Sequence, residues 1–516
     1  MRMTSPGLAR CCLQAPGRLL FGHSRLRHDS GSVRNWEVWL APRSGSVGLG
    51  LSTFPWRTRW GPERTSVAAL RVAAAHASWP AEHAYKTNRR GFSTCDLLSG
   101  SSLRDIKEVP VTKCLMTKWV LERIGADSAA LRCFTAADTK KPTDGKNRSF
   151  FEGWMQARIG FASHPSKALR DAFRRSYDAR LVRWGRLLEV LDCFAGDIAY
   201  HYCTPEEEGY SKLTTLMVTA SIQRMEFSDA PEDRSPESCV LTGITVEDDL
   251  TLIGSVTQTG ASSMGIRIEM QQNSEMKGSV FFVMVSVDET GKPVKKVPPL
   301  DISSCSPELR SLIASSSSGF ETRKANAKKM FSLVPPEPEE AVFLHNVWKK
   351  SLAGGKHMLR MRDTKLSTAE LIQPEALSRY NRAFGGLVSR KALELSYLNA
   401  QRFLKTIRPV LTGVDDIFFL QPLFVGQMAE MVSCVVWSEV DEVQIQVEAF
   451  CVDPVSGNKK KTNIFHFRYD TVVDANDTWR RETPQKVYPS DYADCISFLE
   501  ARRRYLLRKS TSDFVA

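Results

Sequence analysis

The sequence predicts an α+β fold built from a unit that occurs twice, a long helix followed by several antiparallel strands. An aromatic–glycine pair opens a helical stretch at Trp184-Gly185 and again at Phe384-Gly385, 200 residues later. Segments that alternate apolar and polar residues, the pattern of half-buried strands, follow each helix. A long helix beside one antiparallel sheet is buried on all sides only if the sheet curls around it. We therefore expect two curled antiparallel sheets, each wrapped around a central helix.

The other elements of the repeat also occur in pairs, at offsets of roughly 180–200 residues. In order, the predicted strand pairs are Phe150–Phe161 with His357–Ile372, Ser221–Phe227 with Gly413–Phe419, Ile266–Met270 with Val443–Phe450, and Val280–Val287 with Asn463–Tyr469. The last pair is dense in β-branched and aromatic residues, which favour strands. Together these pairs indicate a tandem duplication.

The repeats and the composition between them predict the domain boundaries. The stretch Ser315–Gly319 and the proline-containing Leu333–Glu340 indicate a polar linker. The predicted order is a leader at 1–92, a helical preamble at 93–148, a first domain at 149–310, a linker at 311–345, a second domain at 346–489 and a C-terminal helix or tail at 490–516.

The net charge of +12 belongs almost entirely to the leader. Residues 1–90 contain 13 Arg and 1 Lys against 4 acids, so 13 + 1 − 4 = +10, and about +2 is left for the remainder. A nearly neutral body argues against nucleic-acid binding. An Arg-rich, acid-poor leader is typical of an organelle transit peptide, and Arg90-Gly91-Phe92-Ser93 resembles a mitochondrial processing site. We expect import into the mitochondrial matrix with a mature start near Ser93; a plastid address and a disordered basic tail are the alternatives.

The cysteines and the hydropathy exclude other classes. The 12 cysteines form no Cys-x-x-Cys pair and no zinc-ligand spacing with His. We expect free, mostly buried thiols in a reducing compartment, with no metal. No apolar run approaches the length of a membrane span, so no stable membrane insertion is expected.

Residues from about 105 to 500 resemble the mitochondrial double-hotdog acyl-coenzyme A thioesterases. The segments that carry the resemblance are Val182–Asp192, Thr219–Phe227, Phe282–Val285, Tyr380–Tyr397, Val414–Gln427 and Thr462–Tyr469. The resemblance implies tandem hotdog domains that pair. It also implies hydrolysis of fatty acyl-CoA to free fatty acid and coenzyme A by activated water at the groove between the domains, without a cofactor. It further implies that the chain can form a homo-oligomer.

The resemblance also gives a role to Gly185, Gly385 and Gly386 at the helix starts. In hotdog thioesterases the thioester lies at the N-terminus of the central helix, where free backbone N–H groups can polarise its carbonyl. Glycine permits this approach. The alternative is that these glycines serve tight helix packing.

The resemblance implies an acid or amide just before each helix glycine. Seven residues before Gly185 lies Asp178, which is the predicted base; a loop acid or helix cap is the alternative. The same count from Gly385 reaches Ser378, where related thioesterases usually carry asparagine. Asn381 is a possible substitute. We therefore expect one functional site for the pair of domains.

Two acids within the helices compete with Asp178. Asp192 lies seven residues after Gly185, and Glu394 lies nine after Gly385. Some hotdog branches place the catalytic carboxylate on the helix, although such residues are more often satisfied polar groups. His466 ranks below Asp178 as a candidate.

Two other functions use the same fold. The first is an acyl-CoA-binding module without catalysis, which the serine at position 378 keeps open. The second is an enoyl-CoA hydratase, which is less favoured because no Asp/His or Glu/His pair lies at the helix starts.

Overall fold

The fold is taken from a computed structural model. The structure describes residues 106–136, 147–204, 216–227, 243–314, 316, 335–352, 358–376, 382–475, 478–481 and 483–512. All of them belong to one unit, Pro80–Ala516. The predicted leader and most of the predicted linker lie outside the described residues.

The helices and strands alternate in two similar series along the described ranges. The labelled helices are α1 Leu115–Arg123, α2 Lys167–Phe173, α3 Trp184–Cys203, α4 Pro338–Leu352, α5 Gly385–Leu404 and α6 Tyr492–Ser512. Residues 307–314 are also helical. The strands up to the linker are β1 Ile106–Val109, β2 Leu131–Ala136, β3 Arg148–Ser149, β4 Trp154–Ile159, β5 Leu216–Phe227, β6 Leu250–Thr259, β7 Ser263–Gln272, β8 Glu275–Val287 and β9 Leu300–Asp301. Those after it are β10 Met358–Arg360, β11 Leu366–Leu371, β12 Leu411–Val414, β13 Ile417–Phe419, β14 Met428–Ser438, β15 Val443–Val452, β16 Lys459–Tyr469, β17 Val472–Ala475, β18 Thr478–Arg481 and β19 Lys486–Tyr488.

Within the described ranges, 13 of the strands form a single antiparallel sheet that carries both repeats. Its order is β1-β2-β4-β6-β7-β8-β5-β12-β16-β15-β14-β11, with β13 pairing with both β5 and β16. Outward from the junction, the first repeat runs β5-β8-β7-β6-β4, and the second runs β12-β16-β15-β14-β11 in the matching order. Each strand pair predicted from the sequence therefore occupies equivalent places in the two halves, which confirms the duplication.

Each half of the sheet packs against its own central helix. Helix α3 contacts β5, β6, β7 and β8, and α5 contacts β14, β15 and β16. Nearly every residue of α3 is buried because α1 and α5 cover the sides that the sheet leaves open. The expectation of two central helices, each held against a curled antiparallel sheet, is confirmed, and the fold is a tandem hotdog.

The two central helices pack on each other in antiparallel orientation. The start of α3, at Gly185, lies against Arg390 in the second turn of α5, and the start of α5, at Gly386, lies against Glu189 in the second turn of α3. The two helix N-termini therefore lie at opposite ends of one helix–helix contact. Each helix presents its N-terminal half to the start of the other.

Three local features differ from the sequence analysis. The segment expected to be a helical preamble contributes α1 but also β1 and β2, which extend the sheet beyond β4. The expected strand Gly413–Phe419 is interrupted, because β12 ends at Val414 and β13 begins at Ile417. Finally, Cys114 at the start of α1 and Cys133 on β2 form a disulfide, so the expectation of free thiols is wrong for this pair. A separation of 19 residues did not indicate the contact, which depends on how α1 packs beside β2.

Helix α6 closes the C-terminal end of the described chain and contacts β14. Ion pairs hold it against the rest of the chain: Arg508 Nη1 donates to Asp415 Oδ2 at 3.0 Å, and Arg503 Nε donates to Glu340 Oε1 at 2.6 Å. Within the described residues, no helix is long and apolar enough to cross a membrane.

Candidate active site

Both central helices begin without a cap of their own. The residue before α5 is Phe384 and the residue before α3 is Arg183, and neither side chain accepts a hydrogen bond from its helix. The first N–H groups of a helix have no partner within the helix and carry its positive dipole end, so such a terminus attracts a negative group. In this fold the negative group is a carboxylate from the other central helix.

At the start of α5 that carboxylate is Asp192 of α3. Thr219 Oγ1 of β5 donates to Asp192 Oδ1 at 2.6 Å, and the backbone N–H of Gly386 donates to the same carboxylate. A methyl group added at Gly385 would lie 3.3 Å from Asp192 Oδ2 and 3.1 Å from Phe419 Cε1. Glycine at this position therefore leaves the space in which the carboxylate meets the helix terminus.

Asp192 is 3% exposed, and its environment changes its acidity. Burial raises the pKa of this carboxyl to about 6, since the charged form loses hydration. The hydrogen bonds from Thr219 and Gly386 oppose that rise, and the charge of Glu189 adds to it. The carboxylate is therefore charged near neutral pH and basic enough to accept a proton, as a general base requires.

A cavity of about 740 Å³ opens beside Asp192 and Gly385. Its walls come from α1, α3, β5 and β8 of the first repeat and from Arg382–Gly385, Val388, the 419–424 segment and Asn463 of the second. The Trp119 ring of α1 meets the Phe384 ring edge-on, with centroids 5.7 Å apart. The cavity thus lies where the two repeats meet, with one buried carboxylate and one helix N-terminus in its wall.

The opposite helix terminus is filled by charged side chains. Glu394 Oε1 of α5 lies 2.5 Å from Arg183 Nη2, and Glu394 Oε2 lies 3.6 Å from Arg390 Nη1. Glu189 Oε2 pairs with Arg390 Nε at 3.1 Å and with Arg186 Nη1 at 2.6 Å. A methyl group added at Gly185 would lie 3.0 Å from Arg390 Cγ. Side chains therefore occupy the place that corresponds to the cavity on the other side.

The structure separates the residues that the sequence analysis grouped. Asp178 lies in a turn before α3, where its Oδ1 accepts from the Arg180 N–H at 3.2 Å, and it is not part of the cavity wall. Gly185 and Glu394 lie together in the charged cluster at the start of α3. Of the predicted residues, Gly385 lines the cavity and Gly386 contacts Asp192. Ser378 and Asn381 lie outside the described residues.

His466 also has a structural environment rather than a place in the cavity wall. Its ring Nδ1 lies 3.0 Å from the Asp416 carbonyl oxygen, and burial lowers its pKa to about 3. The imidazole is therefore neutral throughout the physiological range.

Sequence reasoning ranked Asp192 below Asp178 and missed Thr219 and Asn463 as site residues. Thr219 precedes the alternating part of β5, and Asn463 lies on β16 opposite Phe419. The sequence signal that could have identified this site was the carboxylate of Asp192 and the hydroxyl of Thr219, each among mostly apolar neighbours. Spacing along the chain did not show that these groups face the helix of the other repeat.

Comparisons with curated proteins find thioesterases. No protein-family model matches the chain. A hop protein named acyl-coenzyme A thioesterase 4, mitochondrial, is 29% identical over 338 residues, which cover 60% of this chain and 58% of that protein. Human acyl-coenzyme A thioesterase 9, mitochondrial, is 27% identical over 375 residues, covering 69% of this chain and 78% of that protein. Hop acyl-coenzyme A thioesterase 2, chloroplastic, is 25% identical over 356 residues, covering 64% and 76%.

Comparisons with solved structures find acyl-CoA hydrolases. That of Staphylococcus aureus, in complex with butyryl coenzyme A and coenzyme A, is 18% identical and covers 30% of this chain and 91% of its own, with a TM-score of 0.28. That of Agrobacterium tumefaciens is 17% identical and covers 58% and 89%, with a TM-score of 0.20.

Proposed function

We propose that this chain, which is related over 69% of its length to the mitochondrial acyl-coenzyme A thioesterases, hydrolyses fatty acyl-CoA to free fatty acid and coenzyme A. The observation that carries the proposal is the buried Asp192 carboxylate at the uncapped N-terminus of α5, beside a cavity of about 740 Å³. A thioester needs a base for water and donors for its carbonyl oxygen, and both functions meet here.

In the proposed reaction Asp192 is the general base. It takes a proton from a water molecule, and the water oxygen forms a bond to the thioester carbonyl carbon. The carbonyl oxygen gains negative charge, which the N–H groups and the positive dipole end of α5 stabilise. The C–S bond then breaks, and the proton held by Asp192 passes to the leaving thiolate. The products are a carboxylic acid and the free thiol of coenzyme A.

Thr219 is the proposed positioning residue for the base. Its hydroxyl donates to Asp192 Oδ1 at 2.6 Å, which fixes one carboxylate oxygen and leaves Oδ2 towards Gly385. A hydrogen bond to the charged form also keeps the pKa of Asp192 from rising further. The base therefore stays ionised near neutral pH despite its burial.

We expect one such site in each chain, at the start of α5. At the start of α3 the carboxylate of Glu394 is engaged by Arg183 and Arg390, and charged side chains fill the space that a substrate would need. A homo-oligomer stays a prediction.

The proposed location is an organelle, and more specifically the mitochondrial matrix. Support comes from the Arg-rich, acid-poor residues 1–90 and from relatives named mitochondrial in human, cattle, mouse and hop. The chloroplastic name of another hop relative keeps a plastid as the alternative.

The test measures thiol release from a panel of acyl-CoAs by the full-length chain and by three carboxylate-to-amide variants. Asp192→Asn is expected to lower kcat on the order of 10²–10⁴-fold, the usual contribution of a general base. Asp178→Asn tests the candidate favoured by the sequence and is expected to change kcat little. Asp171→Asn, on the exposed face of α2, is the matched control.

Each outcome is decisive. Loss of turnover in Asp178→Asn with retention in Asp192→Asn would transfer the base to Asp178. Absence of turnover by the unmodified chain on every chain length would refute hydrolysis. Acyl-CoA binding under those conditions would favour a binding module.

A further inference from the structure

The cavity wall is unevenly divided between apolar and polar residues. Its apolar part comes from α1, the end of α3 and the start of β5, and includes Leu115, Met116, Trp119, Leu216 and Met217. These apolar side chains form no hydrogen bonds with water, so a ligand that displaces water from them leaves no hydrogen-bonding group without a partner. An acyl chain gains free energy from such a surface in proportion to the apolar area that it buries.

The polar part of the wall comes from loops and from β16. It contains the Arg382 guanidinium and the side chains of Thr290, Gln421 and Asn463. Arg382 Nη2 donates to the Glu289 carbonyl oxygen at 3.2 Å, which holds the guanidinium over the turn that follows β8. A cationic group suits the anionic phosphates of coenzyme A. The acyl chain is therefore assigned to the apolar part.

One face of α3 runs from the proposed base along the apolar part. Asp192, Gly196 and Tyr200 follow each other at intervals of four residues, so the three positions lie along one side of the helix. Asp192 and Tyr200 both line the cavity. A methyl group added at Gly196 would lie 2.6 Å from Met116 Sδ, so the thioether rests directly on the helix between them.

Helix α1, which covers this face, is anchored by a second buried carboxylate. Asp197 Oδ1 accepts from the Met116 N–H at 2.9 Å, and Asp197 Oδ2 accepts from the Thr117 N–H at 2.9 Å and the Thr117 hydroxyl at 2.7 Å. Asp197 thereby caps α1 from α3. The Met116 backbone is held in place while its side chain can still adapt.

Tyr200 closes the space between α3 and β5. Its side chain is 3% exposed, and its hydroxyl oxygen accepts from the Met217 N–H of β5 at 3.1 Å. The ring thus reaches from the helix to the sheet and stands across the path that begins at Asp192. A chain that lies between α3 and β5 meets this ring.

We propose that Tyr200 sets the upper limit of acyl-chain length and that the preferred substrates are medium-chain acyl-CoAs; this rests on the proposed function. Tyr200 lies eight positions after Asp192 along α3. At about 1.5 Å per residue, this offset corresponds to about 12 Å along the helix axis. A fully extended chain advances about 1.2 Å per bond, so about ten carbons fill the distance. Met116 and Met217 form the adaptable side walls.

The experiment measures kcat/KM on saturated acyl-CoAs from four to eighteen carbons with the full-length chain. We expect kcat/KM to rise with chain length to about ten carbons and to fall beyond that. Tyr200→Ala removes the ring and is expected to raise the ratio of sixteen-carbon to eight-carbon kcat/KM by about tenfold or more, since admission of even one methylene changes discrimination by this order. Tyr200→Phe is the matched control, because it keeps the ring and removes the hydroxyl that accepts from the Met217 N–H, and its profile should follow that of the unmodified chain.

Met116→Ala is a second variant, because Tyr200→Ala removes buried volume and can impair folding. It keeps the backbone bond to Asp197 and widens the path, so the decline beyond ten carbons should become shallower. A flat profile to eighteen carbons in the unmodified chain would overturn the proposal. The proposal would also be overturned if the chain-length profiles of Tyr200→Ala and Met116→Ala matched the profile of the unmodified chain. Absence of hydrolysis at every length would instead refute the proposed function itself.

Discussion

Asp192 meets two opposing requirements with a single carboxylate. It is buried at the start of α5, and its proposed role as the base requires it to be charged. Burial raises its pKa to about 6, and the donors Thr219 and Gly386 limit that rise. The same group serves the helix as its missing cap, since Phe384 has no side chain that can accept a hydrogen bond.

Replacing Asp192 by Asn is predicted to stabilise the fold at alkaline pH. The folded-state pKa, about 6, is raised above the ordinary value of 3.8, so the favourable contribution of the carboxyl is fully present below about pH 4 and is lost as pH rises through about 6. Removing the charge should raise the free energy of unfolding at pH 8 by up to about 3 kcal/mol. The gain should vanish at pH 4. Activity of the unmodified chain has the opposite trend and should fall as pH drops through about 6.

Asp249→Asn is a control, because its expected change in the free energy of unfolding at pH 8 has the opposite sign to that of Asp192→Asn. Burial raises the pKa of Asp249, but hydrogen bonds from Ser163 and Ala162 and from Arg158 outweigh it, and the pKa is lowered overall. Its contribution to stability is therefore present above the unfolded-state pKa and is lost in acid. Urea unfolding at pH 8 compares the two variants, since Asp192→Asn should gain stability there and Asp249→Asn should lose it. Urea unfolding at pH 4 tests whether the gain in Asp192→Asn vanishes. A loss of stability at pH 8 in Asp192→Asn would contradict the assigned cost of burial.

At the scale of the helix, the two adjacent glycines at the start of α5 have different neighbours. At Gly385 the neighbours of an added methyl are the Phe419 ring and the proposed base. At Gly386 the Glu189 Cα atom lies 3.0 Å from such a methyl, so close helix packing requires this glycine. Close helix packing therefore accounts for Gly386, whereas substrate approach at Gly385 stays a prediction.

Gly385→Ala and Gly185→Ala are matched changes at the same place in the two helices. At Gly385 the methyl would press on Phe419 Cε1 at 3.1 Å and on Asp192 Oδ2 at 3.3 Å, and displacement of the base is expected to lower kcat on the order of tenfold to a hundredfold. At Gly185 the methyl meets the flexible side chains of Arg390 and Glu394, so the loss of activity should be much smaller.

Thiol-release kinetics beside melting temperatures distinguish damage to the site from damage to the fold. Equal losses of kcat in the two variants would mean that both helix termini take part in the reaction. A loss in Gly185→Ala alone would reverse the assignment of the site.

At the scale of the whole molecule, one sheet carries two repeats whose helix termini have diverged. The antiparallel contact of α3 with α5 places a carboxylate at each terminus, Asp192 at one and Glu394 at the other. Thr219 and backbone N–H groups surround Asp192, whereas arginines surround Glu394. Side chains, rather than strand order, decide which terminus has a cavity.

Glu394→Gln is predicted to leave kcat nearly unchanged, because Glu394 lies in the charged cluster at the start of α3. Its side chain is 32% exposed, so the loss of its pairs with Arg183 and Arg390 should cost at most about 1 kcal/mol of unfolding free energy. Thiol release and urea unfolding of this variant beside Asp192→Asn measure the contrast. A loss of kcat as large as that of Asp192→Asn would mean that the α3 terminus also works in catalysis.

The strand pairs and both helix starts could be predicted because they depend on local patterns. Alternation in Ile266–Met270 and Val443–Phe450 places side chains on opposite faces of a strand wherever the strand lies. The matching order of the repeats indicated a duplication, and the family resemblance implied that the two domains pair. The strands β1 and β2 were not predicted, since they are short and join the sheet only through contacts with β4.

The sequence by itself determined the duplication, the two central helices and the glycines at their starts, because each is expressed in the spacing of residues along a continuous stretch. Only the tertiary structure decided which acid faces which helix. Asp178 and Asp192 both lie seven residues from Gly185 in the sequence, but the antiparallel crossing of α3 and α5 brings Asp192 to the glycine of the other repeat. Contacts between the two repeats depend on packing between distant segments, and no spacing within either repeat encodes them.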